Sequence, residues 1–201
     1  MKRFFLPFVF FMLILPLSAE SVKNPRGFSI GLYGAGDFPL ADYAEFCTAN
    51  AGGGLCVELA IPLGSDNFSI GFSARSSFRY GFVNPNNSVI DSLYDLDFLA
   101  GFFVRLGFSI GKLKMAFVPE LSYGGLCHFV LPKPGIFDLN NFYMDQIMTF
   151  APSLRFVLPA DLEIEAAPVY AISFEKEIVP QQIGGRIGLL WHISDFVKNK
   201  K

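Results

Sequence analysis

The stretch Phe68-Ser-Ile-Gly-Phe-Ser-Ala-Arg-Ser-Ser-Phe-Arg-Tyr-Gly-Phe82 decides the fold of this chain. Counted from Phe68, every second residue is apolar except Ser76, and the residues between them are Gly, Ser or Arg. Successive side chains of a β-strand point to opposite faces, whereas a helix repeats about every 3.6 residues. The pattern therefore predicts one long strand with an apolar face and a small or polar face.

Seven further stretches alternate in the same way, so the sequence predicts eight strands. They cover residues 27–36, 51–61, 98–110, 115–124, 148–156, 162–174 and 186–194. Several have about 10 to 15 residues, enough to cross a bilayer at a tilt. The connections also alternate, with short turns at 62–67, 111–114 and 158–161 and longer loops at 37–50, 83–95, 127–141 and 175–182. Short turns on one side and long loops on the other are typical of bacterial outer-membrane barrels.

Composition narrows the class further. The 201 residues are 52% hydrophobic and only 17% charged, include 24 Phe, and carry a net charge of −2. This composition excludes a disordered chain and gives no basic face for nucleic acid. Beyond the N-terminus, no apolar run approaches the roughly 20 residues that a spanning helix needs.

Two all-β architectures fit the alternation, because the pattern alone does not say which face points outward. In a soluble sandwich or lipocalin-like barrel the apolar face fills the core, and in a membrane barrel it meets lipid. We favour the eight-stranded antiparallel up-and-down transmembrane barrel, because the apolar faces are rich in Phe and the opposite faces in Gly, Ser and Ala. Lysine is confined to termini, turns and loops. Three prolines fall inside predicted strands, at Pro119, Pro152 and Pro168, and predict local bulges.

The N-terminus reads as a secretory signal peptide. Lys2 and Arg3 precede an apolar run that ends near Leu17, and the small residues Ser18 and Ala19 follow. An N-terminal membrane anchor is the alternative. The predicted divisions are a signal peptide at 1–19, a periplasmic segment at 20–26, the barrel at 27–196 and a periplasmic tail at 197–201.

If the apolar faces meet lipid, nine charged residues lie on the inward face. Five are arginines and four are glutamates: Glu58, Arg75, Arg79, Arg105, Glu120, Arg155, Glu163, Glu165 and Arg186. Eight strands leave an interior just wide enough for side chains, so these charges should pair with one another. Two functions remain open, a closed polar plug and a narrow conduit with a charged constriction. The nearly equal numbers of positive and negative charges favour the closed polar plug.

The cysteines and histidines suggest no cofactor. We predict a disulfide between Cys47 and Cys56 and a free thiol at Cys127, as expected for an exported chain with three cysteines. A metal site built from these cysteines and His128 is the alternative, although close CxxC spacing is absent. His192 and Ser194 are similar to the His-x-Ser of the lipid A deacylases, but the nearby acid, Asp195, points to the other face. We therefore predict that the protein is not an enzyme.

The last predicted strand, Arg186-Ile-Gly-Leu-Leu-Trp-His-Ile-Ser-Asp-Phe196, resembles the C-terminal strand that barrel-assembly machinery reads, although five residues follow Phe196. As an architecture, residues 27–196 resemble the small eight-stranded outer-membrane proteins of the OmpA-barrel, OmpX and OmpW kind. The resemblance implies a monomer in outer-membrane lipid with both termini in the periplasm. OmpW-like barrels imply passage of small apolar molecules, and OmpX-like barrels imply surface interaction through the loops. We predict a porin-like narrow channel for small molecules, with a plugged structural or surface-interaction barrel as the alternative.

Overall fold

The computed structural model describes residues 20–21, 24–134, 141–174 and 179–193. Within them are eight long strands: β1 (Gly27–Leu40), β2 (Cys47–Pro62), β3 (Phe68–Val83), β4 (Ile90–Ile110), β5 (Leu113–Pro132), β6 (Phe142–Leu158), β7 (Leu162–Phe174) and β8 (Gln181–His192). A short 3-10 helix, Ala41–Glu45, joins β1 to β2, and a two-residue strand, Glu20–Ser21, pairs with the end of β4. The predicted signal peptide, the tail at 197–201 and Ser194 lie outside the described residues.

None of the helical structure in the described residues is long and apolar enough to cross a membrane.

The eight strands close into one antiparallel up-and-down barrel. Each strand pairs with its sequence neighbours, and β8 closes the ring by pairing with β1. Paired residues can be followed from strand to strand once around the ring. A path that starts at Leu96 on β4 ends at Leu106 on the same strand, ten residues further along. The path is Leu96, Phe78, Gly53, Gly34, Ile187, Ala166, Leu154, Phe117, Leu106. Such a stagger tilts the strands by roughly 40° to the barrel axis. The predicted fold class is confirmed.

The apolar faces point outward. Phe72, Phe102 and Leu189 are 57%, 43% and 46% exposed, whereas Arg75 and Arg105 are buried at 3% and 2%. A soluble barrel would show the reverse, because exposed apolar patches of this extent are rare on soluble monomers. The inside-out arrangement expected of a membrane barrel is therefore confirmed.

The strands extend further than the sequence pattern predicts on the long-loop side. The strands β4 and β5 have 21 and 20 residues, whereas β7 and β8 have 13 and 12. Paired residues continue through stretches that the sequence analysis assigns to loops, such as Asp95 opposite His128. The connections are correspondingly shorter. At the opposite end, β4 and β5 are joined by two residues, and Gly111 there adopts a positive φ of 60° that favours glycine.

The bulges predicted at the three prolines are wrong. Pro119 lies directly opposite Pro152, and the β5–β6 register is unbroken through them. Between β6 and β7, pairing stops after Phe150–Tyr170 and resumes at Leu154–Ala166 in the same register. A proline lacks the N–H donor of one ladder bond, but the intact bonds on either side hold the register. In the described strands, register shifts instead occur at Cys47/Ala49 and Ile90/Ser92, near the loop ends.

Candidate functional site

A six-residue ionic cluster fills the middle of the barrel, and we call it the central network. Its members come from six different strands: Glu58, Arg75, Glu120, Arg155, Glu165 and Arg186. None is more than 6% exposed. Three arginines face three glutamates, so the formal charges cancel. A balanced set of this kind meets the requirement that buried charges be paired.

The contacts of the central network cross the lumen. Arg75 holds Glu120 through two nitrogens, with Nε–Oε1 and Nη2–Oε2 both 2.8 Å. On the other side, Arg155 donates from Nη1 to Glu58 Oε2 at 2.7 Å and from Nη2 to Glu58 Oε1 at 2.8 Å. Its Nη2 also lies 2.9 Å from Oε2 of Glu165. Because β2 and β6 lie four strands apart in the ring, the Glu58–Arg155 pair bridges opposite walls and closes the lumen.

The short-turn end has a second ionic layer. Both terminal nitrogens of Arg105, Nη1 and Nη2, bind the carboxylate of Glu163, and Arg105 Nε donates to Asn24 Oδ1 at 3.0 Å. Asn24 precedes the first strand and is 2% exposed, so its side chain is buried within this layer. His192 lies beside Glu163, with Nε2–Oε1 at 3.2 Å, and its Nδ1 is 2.6 Å from Ser29 Oγ.

The long-loop end has a third layer, which we call the extracellular layer after the side on which the sequence analysis predicts the long loops to lie. Here Arg79 binds Asp37, which also accepts a hydrogen bond from Asn50 at 2.7 Å. Asp97 accepts from the backbone N–H of Ser77 at 3.0 Å and from its hydroxyl at 2.6 Å. Unlike the central network, this layer contains more acids than bases.

A histidine and a tyrosine cover the extracellular layer. His128 Nδ1 lies 2.6 Å from Asp95 Oδ1, and Nε2 lies 3.5 Å from Asp145 Oδ2. Tyr43, on the 3-10 helix, reaches His128 at 3.4 Å. Its ring packs inside the mouth in an apolar cluster with Cys47, Ile90, Leu93 and Val130. Burial raises the pKa of the Tyr43 hydroxyl well above its ordinary value, so the group stays uncharged. The 3-10 helix therefore places a buried tyrosine across the lumen at this end.

Comparison with known proteins supports the architecture. No protein-family profile and no curated protein matches the chain. Among solved structures, Neisserial surface protein A is similar to 85% of this chain over 100% of its own, with 9% identity and a TM-score of 0.54.

The fold is that of a small outer-membrane β-barrel. Two further barrels align at lower scores. Ail, the attachment invasion locus protein of Yersinia pestis, has 14% identity over 83% of this chain and 99% of its own, with a TM-score of 0.46. The N-terminal β-barrel domain of Pseudomonas aeruginosa OprF has 11% identity over 84% and 100%, with a TM-score of 0.43.

Two tyrosine hydroxyl groups lie at about the same height on the outer wall of the barrel. The Tyr123 hydroxyl donates to Gln146 on the neighbouring strand, and the Tyr170 hydroxyl donates to Gln181 at 2.7 Å. Amphipathic rings of this kind sit at the membrane–water interface. From Leu113 to Tyr123 the strand covers about 25 Å of height at ~3.3 Å per residue and a tilt of roughly 40°. That height matches the apolar band of an outer-membrane barrel.

The nine charges proposed from the sequence are all buried and all ion-paired. Six form the central network, Arg105 and Glu163 form the layer at the short-turn end, and Arg79 lies in the extracellular layer. Sequence reasoning missed the acids that Arg79 meets, Asp37 and Asp97, as well as the contacts of His128 and His192. Asp97 lies one residue before the predicted start of β4. Counting every second residue back from Arg105 along the inward face leads to Asp97, so the alternation could have predicted its inward position.

The predicted Cys47–Cys56 disulfide is wrong. Within the described part of the chain, all three cysteines are free. Cys47 and Cys56 lie on the same strand, nine residues apart. An extended strand rises ~3.3 Å per residue, so their Cα atoms are about 30 Å apart, far beyond the roughly 7 Å limit for a disulfide. Among the described residues, no group of three or more His, Cys, Asp or Glu side chains is arranged to hold a metal ion.

Proposed function

We propose that the protein is an outer-membrane barrel with a closed interior that acts through its extracellular surface rather than by conducting solutes. The central network carries this proposal, above all the pair of Glu58 and Arg155 that joins opposite walls. A conduit would require these side chains to separate. Breaking a buried ion pair costs about 3 to 5 kcal/mol. An open state would then hold less than about 1% of the molecules, since each 1.4 kcal/mol is a factor of ten.

The projecting ends of β4, β5 and β6 support a role at the surface. The described pairing of β6 with β7 ends at Gln146, opposite Phe174, and β6 begins four residues before Gln146. On the outer face of this projection Phe129, Leu131 and Phe142 are 38%, 47% and 47% exposed, and Met144 is 69% exposed. Phe129 and Leu131 lie six and eight residues beyond Tyr123, or about 15 to 20 Å higher. An apolar face above the interface is the kind of surface that binds another protein.

Solute flux tests the closed interior. The full chain is reconstituted into liposomes, and swelling is measured with small sugars and with small apolar alcohols, alongside planar-bilayer conductance. We expect no flux above that of protein-free vesicles. The double variant Glu58→Ala/Arg155→Ala removes the cross-lumen bridge and should raise conductance. Flux through the unmodified, correctly folded barrel would instead support the narrow channel.

Thiol labelling tests whether the projecting face is outside the bilayer. Cys127 lies on β5 between Tyr123 and Phe129 and is partly exposed, whereas Cys47 and Cys56 are buried. In intact cells, a membrane-impermeant maleimide should label the protein, and the Cys127→Ser variant should remain unlabelled. Labelling only by a lipid-soluble reagent would place the face in the bilayer and remove the support for a surface role.

A further inference from the structure

A groove opens at the long-loop end of the barrel, between the 3-10 helix and the turn that joins β3 to β4. Its volume is about 440 Å³. Small-molecule sites have volumes of about 300 to 1,000 Å³, so the groove has room for a ligand of that size. Glu45 and Phe46 line it at the end of the helix, and residues 84 and 86–89 line it on the turn.

Hydrogen bonds within the protein hold the turn in one shape. Asn84 Nδ2 donates to the carbonyl oxygen of Ala44 at 3.0 Å, which fastens the turn to the helix. Asn87 Oδ1 accepts from the backbone N–H groups of Val89 and Ile90, at 2.9 and 2.8 Å. A loop that is already ordered loses little conformational freedom when a ligand binds. The groove is therefore formed before any ligand arrives.

Three exposed polar side chains in the groove are not used by the fold. The carboxylate of Glu45, the amide of Asn86 and the hydroxyl of Ser88 make no hydrogen bond to another described residue. Together they offer both donors and acceptors. Beside them, the ring of Phe46 is 40% exposed and packs against the ring of Tyr43, with centroids 6.4 Å apart. The groove therefore combines an aromatic surface with open polar groups.

The charge of the lining decides which class of ligand fits. Glu45 is the only charged residue among the described residues that line the groove, so it would repel an anion. A calcium ion needs about six to eight oxygen ligands, and Glu45 is the only carboxylate here. The Oδ1 atoms of Asn84 and Asn87 already accept from backbone N–H groups. A neutral ligand with several hydroxyl groups meets none of these obstacles.

We propose that the groove binds a neutral sugar unit of a glycan. Its hydroxyl groups donate to Glu45 and exchange hydrogen bonds with Asn86 and Ser88. Its C–H face lies on the ring of Phe46, because the face of an aromatic ring carries partial negative charge and attracts C–H groups. The inference rests on the proposed surface function, since it requires the long-loop end to face the outside of the cell.

Glycan binding by the full-length barrel in nanodiscs tests the groove, because both ends of the barrel are open to solution there. Biotinylated nanodiscs are coupled to streptavidin to gain avidity and are applied to an array of neutral, sialylated and sulfated glycans. We expect binding to neutral glycans, and about a tenfold loss in Phe46→Ala and in Glu45→Gln. The matched controls are Phe38→Ala on the outer wall and Asp91→Asn beyond the groove, both at exposed residues, and they should bind as the wild type does.

Three results would overturn the proposal, each obtained with barrels whose folding is checked by heat-modifiable electrophoretic mobility. The first is a wild type that binds no neutral glycan, and the second is a preference for sulfated or sialylated glycans. The third is binding that survives in both groove variants or that EDTA abolishes, which would assign Glu45 to a cation. Binding in nanodiscs but not by intact cells would support the sugar site and contradict the outward-facing loops of the proposed function.

Discussion

The central network and the extracellular layer both combine buried carboxylates with arginine but differ in how completely the charges are paired. In the central network, Arg75 is bound by Glu58 and Glu120, and Arg186 by Glu120 and Glu165. In the extracellular layer, two nitrogens of Arg79 are without hydrogen bonds to any described residue, against one nitrogen, Arg155 Nε, in the central network. The central network is neutral, whereas the extracellular layer sets four aspartates against one arginine and one histidine: Asp37, Asp95, Asp97, Asp145, Arg79 and His128.

This difference separates two ways of stabilising charge inside a narrow barrel. Matched carboxylates and guanidinium groups satisfy one another and exclude solvent, so they close the lumen. An unmatched set cannot do so by itself. At the long-loop end the buried ring of Tyr43 covers the lumen instead. Substitutions in the two layers should therefore have unequal effects.

The largest effect is expected at Glu120. Its carboxylate binds Arg75 and Arg186 and accepts from Ser73 at 2.7 Å. The Glu120→Gln variant leaves two buried arginines without this partner and should lower the free energy of unfolding by about 3 to 5 kcal/mol. Urea unfolding in lipid vesicles measures the change.

An exposed ion pair serves as the control for Glu120→Gln. Arg26 and Asp66 form a salt bridge, with side chains 49% and 59% exposed. The Asp66→Asn variant should change stability by only about 0 to 1 kcal/mol. Equal losses for Glu120→Gln and Asp66→Asn would mean that the central network is not the main electrostatic support of the barrel.

The next largest effect is expected at Gly101, whose missing side chain leaves room for the central network. A Cβ built there would lie 2.4 Å from Ser73 Oγ and 2.5 Å from Ser122 Oγ. Both hydroxyls donate to Glu120, so Gly101→Ala should disturb two hydrogen bonds and cost about 1 to 3 kcal/mol. The matched variant is Gly34→Ala on the outer wall, where the nearest atom would be 3.8 Å away. A similar unfolding midpoint for the two variants would argue against tight packing in the central network.

A smaller effect is expected at Arg79. The Arg79→Gln variant leaves Asp97 with its two bonds from Ser77 and Asp37 with its bond from Asn50. These remaining hydrogen bonds keep both carboxylates partnered, so we expect a loss of roughly 1 to 2 kcal/mol. The comparison with Glu120→Gln, in the same vesicles and at the same pH, is the measurement. A loss at Arg79 that matches or exceeds the loss at Glu120 would erase the distinction between the two layers.

The sequence predicted more of the central network than of the extracellular layer, and the reason is strand length. Within the membrane one face of each strand must be apolar, so the period-two alternation is unambiguous there. It correctly predicts that Glu58, Arg75 and Arg155 lie on the inward face. Past the interface both faces carry mixed residues and turn formers, and the pattern weakens. The sequence analysis therefore places Asp95 in a loop and starts the strand at residue 98, just after Asp97, whereas β4 contains both.

Which charges pair with which was beyond the sequence. Pairing across the lumen depends on the stagger of ten residues around the ring, which follows from the whole set of registers and not from any single strand. The prediction of a Cys47–Cys56 disulfide was wrong for a related reason. Cys47 was assigned to a loop that could fold back toward Cys56, whereas β2 begins at Cys47 and keeps the two residues extended.

The smallest effect is expected from reduction. Because Cys47 and Cys56 are held apart on one strand, a reducing agent should leave the unfolding midpoint and the electrophoretic mobility of the barrel unchanged. The Cys56→Ser variant isolates the packing contribution, since Cys56 contacts Tyr33 and Leu190 inside the wall. A reductant-sensitive midpoint in the wild type, absent from Cys56→Ser, would require β2 to be broken between Cys47 and Cys56, or Cys56 to pair with Cys127. Either change would distort the strand that carries Glu58, so this small measurement bears directly on the closed lumen.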